Sequence, residues 1–198
     1  MGTVGHAFRR SKQMNFEKSR KIALQELNKS LNNINEKESG EFLDRLLKSR
    51  RIFVVGEGRS MLMLKAFAKR LRHLGKESYV VGQTVTPAVG KDDLLVAASG
   101  SGKTSGVINI VKLAGRYKAE VVFITAFPSP SLKKMADLIV TIPGGAHPHS
   151  SAKPASRQLM ASLFEQTLLL FCDSICVVLK DRLKISETQL RKNHANLE

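Results

Sequence analysis

Five short apolar runs, rich in β-branched residues, constrain the fold of this chain more than any other feature. The runs contain few polar residues, and segments with helical spacing separate most of them. Strands without polar alternation are typical of a parallel sheet that is covered on both faces. The predicted strands are RIFVVG within 51–60, SYVVG at 78–82, DDLLVAAS at 92–99, AEVVFITA at 119–126 and DLIVTIPG at 137–144.

The remaining segments repeat apolar residues with the period of a helix, and their alternation with strands predicts a doubly wound α/β fold. We expect a three-layer α/β/α sandwich with a five-stranded parallel sheet, of the flavodoxin-like kind. The 198 residues suit one domain, predicted to span 15–198 after an N-terminal extension at 1–14. The predicted helices are 15–34, 40–49, 60–75, 104–117, 129–136 and 157–183, followed by a tail that opens with a capping box from Ser186 to Gln189.

Composition favours a globular protein, with 42% apolar and 25% charged residues. No apolar stretch is expected to reach the roughly 18–20 residues that cross a bilayer, and no secretion signal is evident, so we expect a cytoplasmic protein without a membrane partner. Cys172 and Cys176 lie four residues apart in an apolar segment, which predicts a buried, reduced pair on one helix face. No metal site is expected, and His147 and His149, in a Gly-, Pro- and Ser-rich loop, are treated as non-ligands.

A net charge of +15 and a pI near 10.1 raise the question of nucleic-acid binding. The Lys and Arg residues are spread along the whole chain, and aromatic residues do not alternate with them. We therefore expect a basic surface that attracts small anionic metabolites, and no nucleic-acid partner. The helix at 157–183 is apolar almost all round, which predicts that a subunit interface covers part of it.

The segment SGSGKTS at 99–105 matches the P-loop pattern only at Lys103-Thr104. Ala97 stands where the first glycine of that pattern is needed, and neither later strand ends in the Asp that would organise magnesium. The loop VVGEGRS at 54–60 contains G-x-G but lacks the third glycine of a dinucleotide site. Both observations disfavour a nucleotide hydrolase and a dinucleotide-dependent enzyme.

The same two loops suit a single phosphate group. Ser99, Ser101 and Thr104 precede a predicted helix, and the unpaired N–H groups of a helix start bind phosphate without a metal. Simple capping of the helix by Ser101 or Thr104 is the alternative. Two glycine turns that follow successive strands and direct hydroxyls into one crevice predict a site for a phosphate monoester.

A series of motifs resembles the sugar isomerase (SIS) domain family and, within it, the 6-phospho-3-hexuloisomerase group. From about residue 20 onwards they are GEGRS, AFAKRLRHLG, YVVG, DLLVAASGSGKTS, ITAFPSPSLKKMADLIVTIPG, LFEQTLLLFCDSI and NHANLE. The resemblance implies a homodimer or homotetramer with active sites near subunit boundaries. It also implies an enzyme that interconverts D-arabino-hex-3-ulose 6-phosphate and fructose 6-phosphate through an enediol, with no cofactor.

On this resemblance, residues of both loops bind the substrate phosphate, and Arg59 neutralises the charge of the substrate or the enediolate. The remaining residues of the expected phosphate site are Gly58, Ser60, Ser99, Ser101, Lys103 and Thr104.

Glu165 is the expected catalytic base, because an acid in the middle of an apolar helix is costly without a purpose or a partner. Pairing with a structural Arg or Lys is the alternative. His194 and His73 are the candidates for a second acid–base group, since imidazole exchanges protons near neutral pH. The alternatives are an exposed tail histidine for His194 and a helix cap for His73.

The chain departs from the family pattern at several positions. Lys103 and Gln83 stand where the family has acids, and Leu159 and Ala161 replace a Pro and a Gly before the long helix. Fewer carboxylates make the expected pocket more positive. The departures leave open an isomerase of a different sugar phosphate, and a non-catalytic sugar-phosphate sensor.

Overall fold

The computed structural model describes residues 13–144 and 156–197, which contain seven helices and five strands. Most of the predicted extension, together with His147 and His149, lies outside these residues. The helices are α1 (Phe16–Asn32), α2 (Glu36–Lys48), α3 (Gly58–His73), α4 (Ser105–Arg116), α5 (Pro130–Lys133), α6 (Ser162–Arg182) and α7 (Glu187–Lys192). The strands are β1 (Arg51–Val55), β2 (Glu77–Val80), β3 (Asp93–Ala98), β4 (Glu120–Thr125) and β5 (Leu138–Thr141).

The five strands form one parallel sheet in the order β2-β1-β3-β4-β5, which confirms the predicted fold class. From β1 the chain crosses to β2 on one side, returns to the other side as β3, and continues outwards to β4 and β5. The direction of winding therefore reverses between β1 and β3. Every residue of the central strand β3 is buried, which explains why its sequence lacks polar alternation.

Side chains of β1 alternate between two hydrophobic cores, one on each face of the sheet. Ile52 and Val54 point into a core shared with α2, α3 and α6. Phe53 and Val55 point into a second core that α4 and α5 cover. Because α3 and α6 lie on the same face, residues at their ends can meet beside the carboxyl end of β1.

The long apolar helix α6 begins at Ser162, five residues later than the sequence pattern predicts. Glu26 of α1 accepts hydrogen bonds from the Ser156 hydroxyl at 2.7 Å and from the Arg157 N–H at 2.8 Å, so these residues are held outside the helix. The expectation that Glu165 lies in the middle of the helix is therefore wrong. It lies in the first turn, where the positive end of the helix dipole favours a carboxylate.

With 21 residues, α6 is long and apolar enough, by length and composition, to cross a bilayer. The expectation that no stretch reaches that length is therefore wrong. The helix contributes a buried face to the core that it shares with α2 and α3, and helices buried in a protein core pass the same test. Its length is accordingly weak support for a membrane span.

Cys172 and Cys176 are free and buried on the core face of α6, as predicted. Burial raises the pKa of Cys176 to about 12 and raises that of Cys172 well above its ordinary value. Both thiols are therefore protonated at neutral pH and are poor nucleophiles.

A buried ion pair joins the amino ends of β1 and β3. Asp93 accepts hydrogen bonds from Arg51 Nε at 2.9 Å and Arg51 Nη2 at 2.7 Å, and from the Gly90 N–H at 2.7 Å. Burial raises the pKa of Asp93, but the hydrogen bonds and the positive charge of Arg51 outweigh it and bring the pKa below its ordinary value of 3.8.

Replacing Asp93 with Asn is expected to lower the free energy of unfolding by about 3 kcal/mol at pH 7, because Arg51 keeps its charge without a carboxylate partner. Because the pKa of Asp93 is lower in the folded state, its carboxylate stabilises the protein at pH values above the ordinary pKa of 3.8. This contribution is lost as the pH falls through the folded-state pKa. Urea unfolding should therefore show a difference between variant and wild type that shrinks in acid.

Glu17→Gln is the matched control, since Glu17 pairs with Lys21 in an exposed position and should contribute less than about 0.5 kcal/mol. Equal stabilities of Asp93→Asn and wild type at pH 7 would contradict the proposed contribution of the buried pair to the free energy of unfolding.

Candidate active site

The loops that follow β1 and β3 meet at the point where the sheet reverses its winding. Ligands of open parallel sheets bind in the crevice at this point, beyond the carboxyl ends of the strands. A β-carbon at Gly56 would lie 3.1 Å from the Met61 nitrogen and 3.3 Å from the Ala98 oxygen. The first loop therefore lies so close to the end of β3 that any side chain at residue 56 would force a small shift of the backbone around it.

Three hydroxyl groups cluster in the second loop. Ser99 Oγ lies 2.7 Å from Thr104 Oγ1 and 3.4 Å from Ser101 Oγ, which accepts a hydrogen bond from the Lys103 N–H at 3.2 Å. Thr104 is the N-cap residue of α4, but its side chain does not cap the helix, and the first turn contains no acidic residue. The cluster therefore adjoins N–H groups at a helix end that no side-chain cap satisfies, an arrangement that suits an anion.

Hydrogen bonds to β4 hold the second loop in shape. The Ser99 N–H donates to the Ile124 oxygen at 3.1 Å, and the Ala126 N–H donates to the Gly100 oxygen at 3.2 Å. Gly102 has a φ of +65°, and a β-carbon there would lie 2.9 Å from Leu132 Cδ1. The loop conformation at this position is therefore restricted to glycine.

Glu165 forms an ion pair with Arg59, whose Nε lies 2.5 Å from Glu165 Oε2. The Glu165 side chain is 11% exposed and that of Arg59 is 59% exposed, so a sheltered carboxylate meets a guanidinium that borders solvent. The expected base does pair with an arginine, and that arginine is itself a predicted site residue.

Helix α6 also contacts the second loop, because a β-carbon at Gly100 would lie 3.1 Å from the Phe164 ring. On the first loop, Gly58 opens α3 with a φ of +55° and Ser60 lies in its first turn beside Arg59. The start of α6 thus contacts both predicted phosphate loops, through Glu165 at Arg59 and through Phe164 at Gly100.

His73 and His194 come together in a different place. Their rings stack with centroids 4.9 Å apart, and Asn193 Nδ2 donates to the His73 oxygen at 3.1 Å. His73 ends α3, fourteen residues after Arg59, which corresponds to about 21 Å along the helix. Within one chain, the two histidines therefore meet each other but do not meet Glu165.

The histidine pair lines a cavity of about 480 Å³. Arg70 and Arg191 also border it, as does Glu187, and Arg70 Nη1 lies 3.4 Å from His73 Nδ1. The surroundings of the pair are thus mainly basic.

Glu57 is a residue of this region that sequence reasoning missed. It lies in the first loop, and a β-carbon at Gly106 in the first turn of α4 would lie 3.2 Å from its Cδ. An acid between two glycines at a predicted ligand loop was the available signal.

Among the described residues, no group of three His, Cys, Asp or Glu side chains is arranged to hold a metal ion.

Three departures from the family pattern, Lys103, Gln83 and Leu159, are exposed, whereas the fourth, Ala161, is half-buried immediately before α6. Met160 has a φ of +48°, a strained conformation for a side chain of its size.

The fold and the arrangement of its loops define a class, that of α/β sandwiches with a ligand crevice at the switch point of a parallel sheet. Within this class the chain belongs to the SIS domain family, whose model matches residues 45–170. The resemblance that the motifs indicated is thereby confirmed.

Several relatives carry a more specific name. The chain is 39% identical over 175 residues to a 3-hexulose-6-phosphate isomerase of Bacillus subtilis (strain 168), covering 88% of this chain and 95% of that protein. It is 40% identical over 148 residues to a 3-hexulose-6-phosphate isomerase of Mycobacterium gastri, covering 75% and 74%. A crystal structure of a Methanococcus jannaschii protein, described as inferring that same isomerase function, has a TM-score of 0.75, 32% identity, and coverage of 91% of this chain and 99% of that one.

Replacing Gly102 with Ala should distort the second loop, because the new β-carbon would press on Leu132 at a positive φ. We expect a loss of about 1–3 kcal/mol in the free energy of unfolding and weaker binding of inorganic phosphate, measured by denaturation and calorimetry.

Gly115→Ala in α4 is the control, since a β-carbon there meets no atom within 4 Å and Ala favours a helix. If Gly102→Ala were as stable as Gly115→Ala and bound phosphate as the wild type does, the shape of the second loop would affect neither stability nor phosphate binding.

Proposed function

We propose that this chain is a sugar-phosphate isomerase that interconverts D-arabino-hex-3-ulose 6-phosphate and fructose 6-phosphate. The observation that carries the proposal is the carboxylate of Glu165, sheltered at the start of α6 and paired with Arg59 at 2.5 Å, while the neighbouring Phe164 packs against Gly100 of the second glycine loop. The names of the relatives from Bacillus subtilis and Mycobacterium gastri support the choice of substrate.

The substrate phosphate binds at the second loop in this proposal. The hydroxyls of Ser99, Ser101 and Thr104 donate to it, together with backbone N–H groups at the start of α4. Ser60 contributes a further hydroxyl from the first loop, and exposed Lys103 adds positive charge. The reacting carbons then lie towards α6, where Glu165 is sheltered.

Glu165 takes the proton from C2 of the hexulose, and the electrons of the broken C–H bond form the C2–C3 double bond of the enediolate. The negative charge moves to O3, which the guanidinium of Arg59 stabilises. One proton passes from O2 to O3, and Glu165 returns the first proton to C3 as the carbonyl forms at C2. The atoms balance without an oxidant or a reductant.

The proton transfer between O2 and O3 is assigned to His194 and His73 of a neighbouring subunit. Within one chain this pair lies about 21 Å from Arg59 along α3, so a shared site requires a second copy. Exposed apolar side chains on α6, among them Val177 and Val178, and an adjoining groove of about 390 Å³ between α1, α2 and α6 support an oligomer. The proposal is a cytoplasmic homodimer or homotetramer of single-domain chains spanning 15–198.

Glu165→Gln is expected to lower kcat by at least about 100-fold while fructose 6-phosphate still binds, because the amide cannot accept the proton from carbon. NMR in deuterated water measures the exchange at the carbon next to the carbonyl. Asp173→Asn, on the same helix, is the control and should exchange at the wild-type rate. Normal exchange by Glu165→Gln would rule out this base, and saturable binding without exchange by the wild type would favour a sensor.

Subunit mixing tests the shared site. Glu165→Gln and His194→Ala should each be nearly inactive, yet co-expressed chains should regain activity, since some sites then combine an intact Glu165 with an intact His194. Co-expression of Glu165→Gln with Arg59→Ala is the control, because both groups come from the same chain in every site and no intact site forms. Equal recovery in the two mixtures, or none in the first, would contradict the arrangement.

A further inference from the structure

Glu57 extends from the first loop across to the second. A β-carbon added at Gly106 would overlap Glu57 Oε1 and lie 3.2 Å from Glu57 Cδ. Gly106 is the second residue of α4, so the carboxylate of Glu57 lies against the first turn of that helix.

The N-terminus of α4 lacks a negative charge of its own. Its first turn contains no acidic residue, and the Thr104 side chain contacts Ser99 instead of capping the helix. A helix start carries a partial positive charge that attracts anions. Within 13–144 and 156–197, Glu57 forms no ion pair with another side chain, so no cation holds the carboxylate that lies against Gly106 in this turn.

Glu57 is also free to leave this position. Its side chain is exposed, and it stands between Gly56 and Gly58 in a loop where it provides no side-chain cap for α3. Among the described residues, moving this side chain therefore breaks no hydrogen bond of its carboxylate and exposes no buried core.

We propose that Glu57 is the resident anion of the phosphate site, and that a phosphate group binds by displacing its carboxylate from the start of α4. The inference rests on the proposed function, because it takes the second loop as the place where the substrate phosphate binds. Glu57 is here a residue that sets the affinity and selectivity of the site. Its carboxylate opposes every phosphate group, so a ligand is retained only when its sugar adds further contacts, and inorganic phosphate alone binds weakly.

Two substitutions remove the carboxylate from the helix end in different ways. Glu57→Gln removes the charge at nearly constant size, and Gly106→Ala places a β-carbon where the carboxylate lies. Calorimetric titration at fixed pH and ionic strength, with inorganic phosphate and with fructose 6-phosphate, should show a Kd that falls about threefold to tenfold for both ligands in both variants. Thermal melts check that the variants are folded.

Asp92→Asn is the charge control, since it changes the net charge equally but precedes β3 at the opposite edge of the sheet, and it should leave both Kd values unchanged. Gly115→Ala is the control for adding a methyl group to α4.

The outcomes separate this inference from the proposed function. Unchanged or weaker binding in Glu57→Gln, or tighter binding there but not in Gly106→Ala, overturns the displacement and leaves the phosphate site in place. Binding of neither ligand by the wild type or by any variant overturns the phosphate site itself, and the inference with it.

Discussion

The close approach of two loops and a helix at the carboxyl edge of the sheet is the constraint on which the rest of the candidate site depends. Missing β-carbons permit each contact: Gly56 lies against the Ala98 oxygen, Gly100 against the Phe164 ring, and Gly102 against Leu132. Because these glycines have no side chains, the two loops and α6 can pack closely together, and this packing positions the residues of the candidate site. A carboxylate and a guanidinium from helices far apart in sequence can then meet at 2.5 Å.

The fold was predictable because its signals are local. Each strand is a short apolar run, and the lack of polar alternation in β3 reports burial on both faces, which the parallel sheet provides. The hydroxyl cluster was predictable for a similar reason, since Ser99, Ser101 and Thr104 lie within six residues of one another at a strand-to-helix turn.

Contacts between distant segments were not predictable. The start of α6 depends on Glu26, which is 130 residues before Ser156, and the pairing of Arg59 with Glu165 spans 106 residues. Neither contact produces a periodic pattern of residues in the sequence. The apolar length of α6 was underestimated because scattered polar side chains interrupt the run, although the helix remains apolar on average. The glycines beside Glu57 were a local signal of a ligand loop, but the contact of Glu57 with Gly106 in the first turn of α4 joins distant segments and was not predictable.

Helix α3 has a consequence for how copies of the chain can assemble. It carries Arg59 at one end and His73 at the other, about 21 Å apart, so it separates the two groups of residues to which we assign catalytic roles by a fixed distance. If two such helices lie antiparallel around a two-fold axis near their midpoints, each arginine end faces a histidine end of the other copy. A single symmetric contact would then create two equivalent composite centres, and the length of one helix would fix the distance between them.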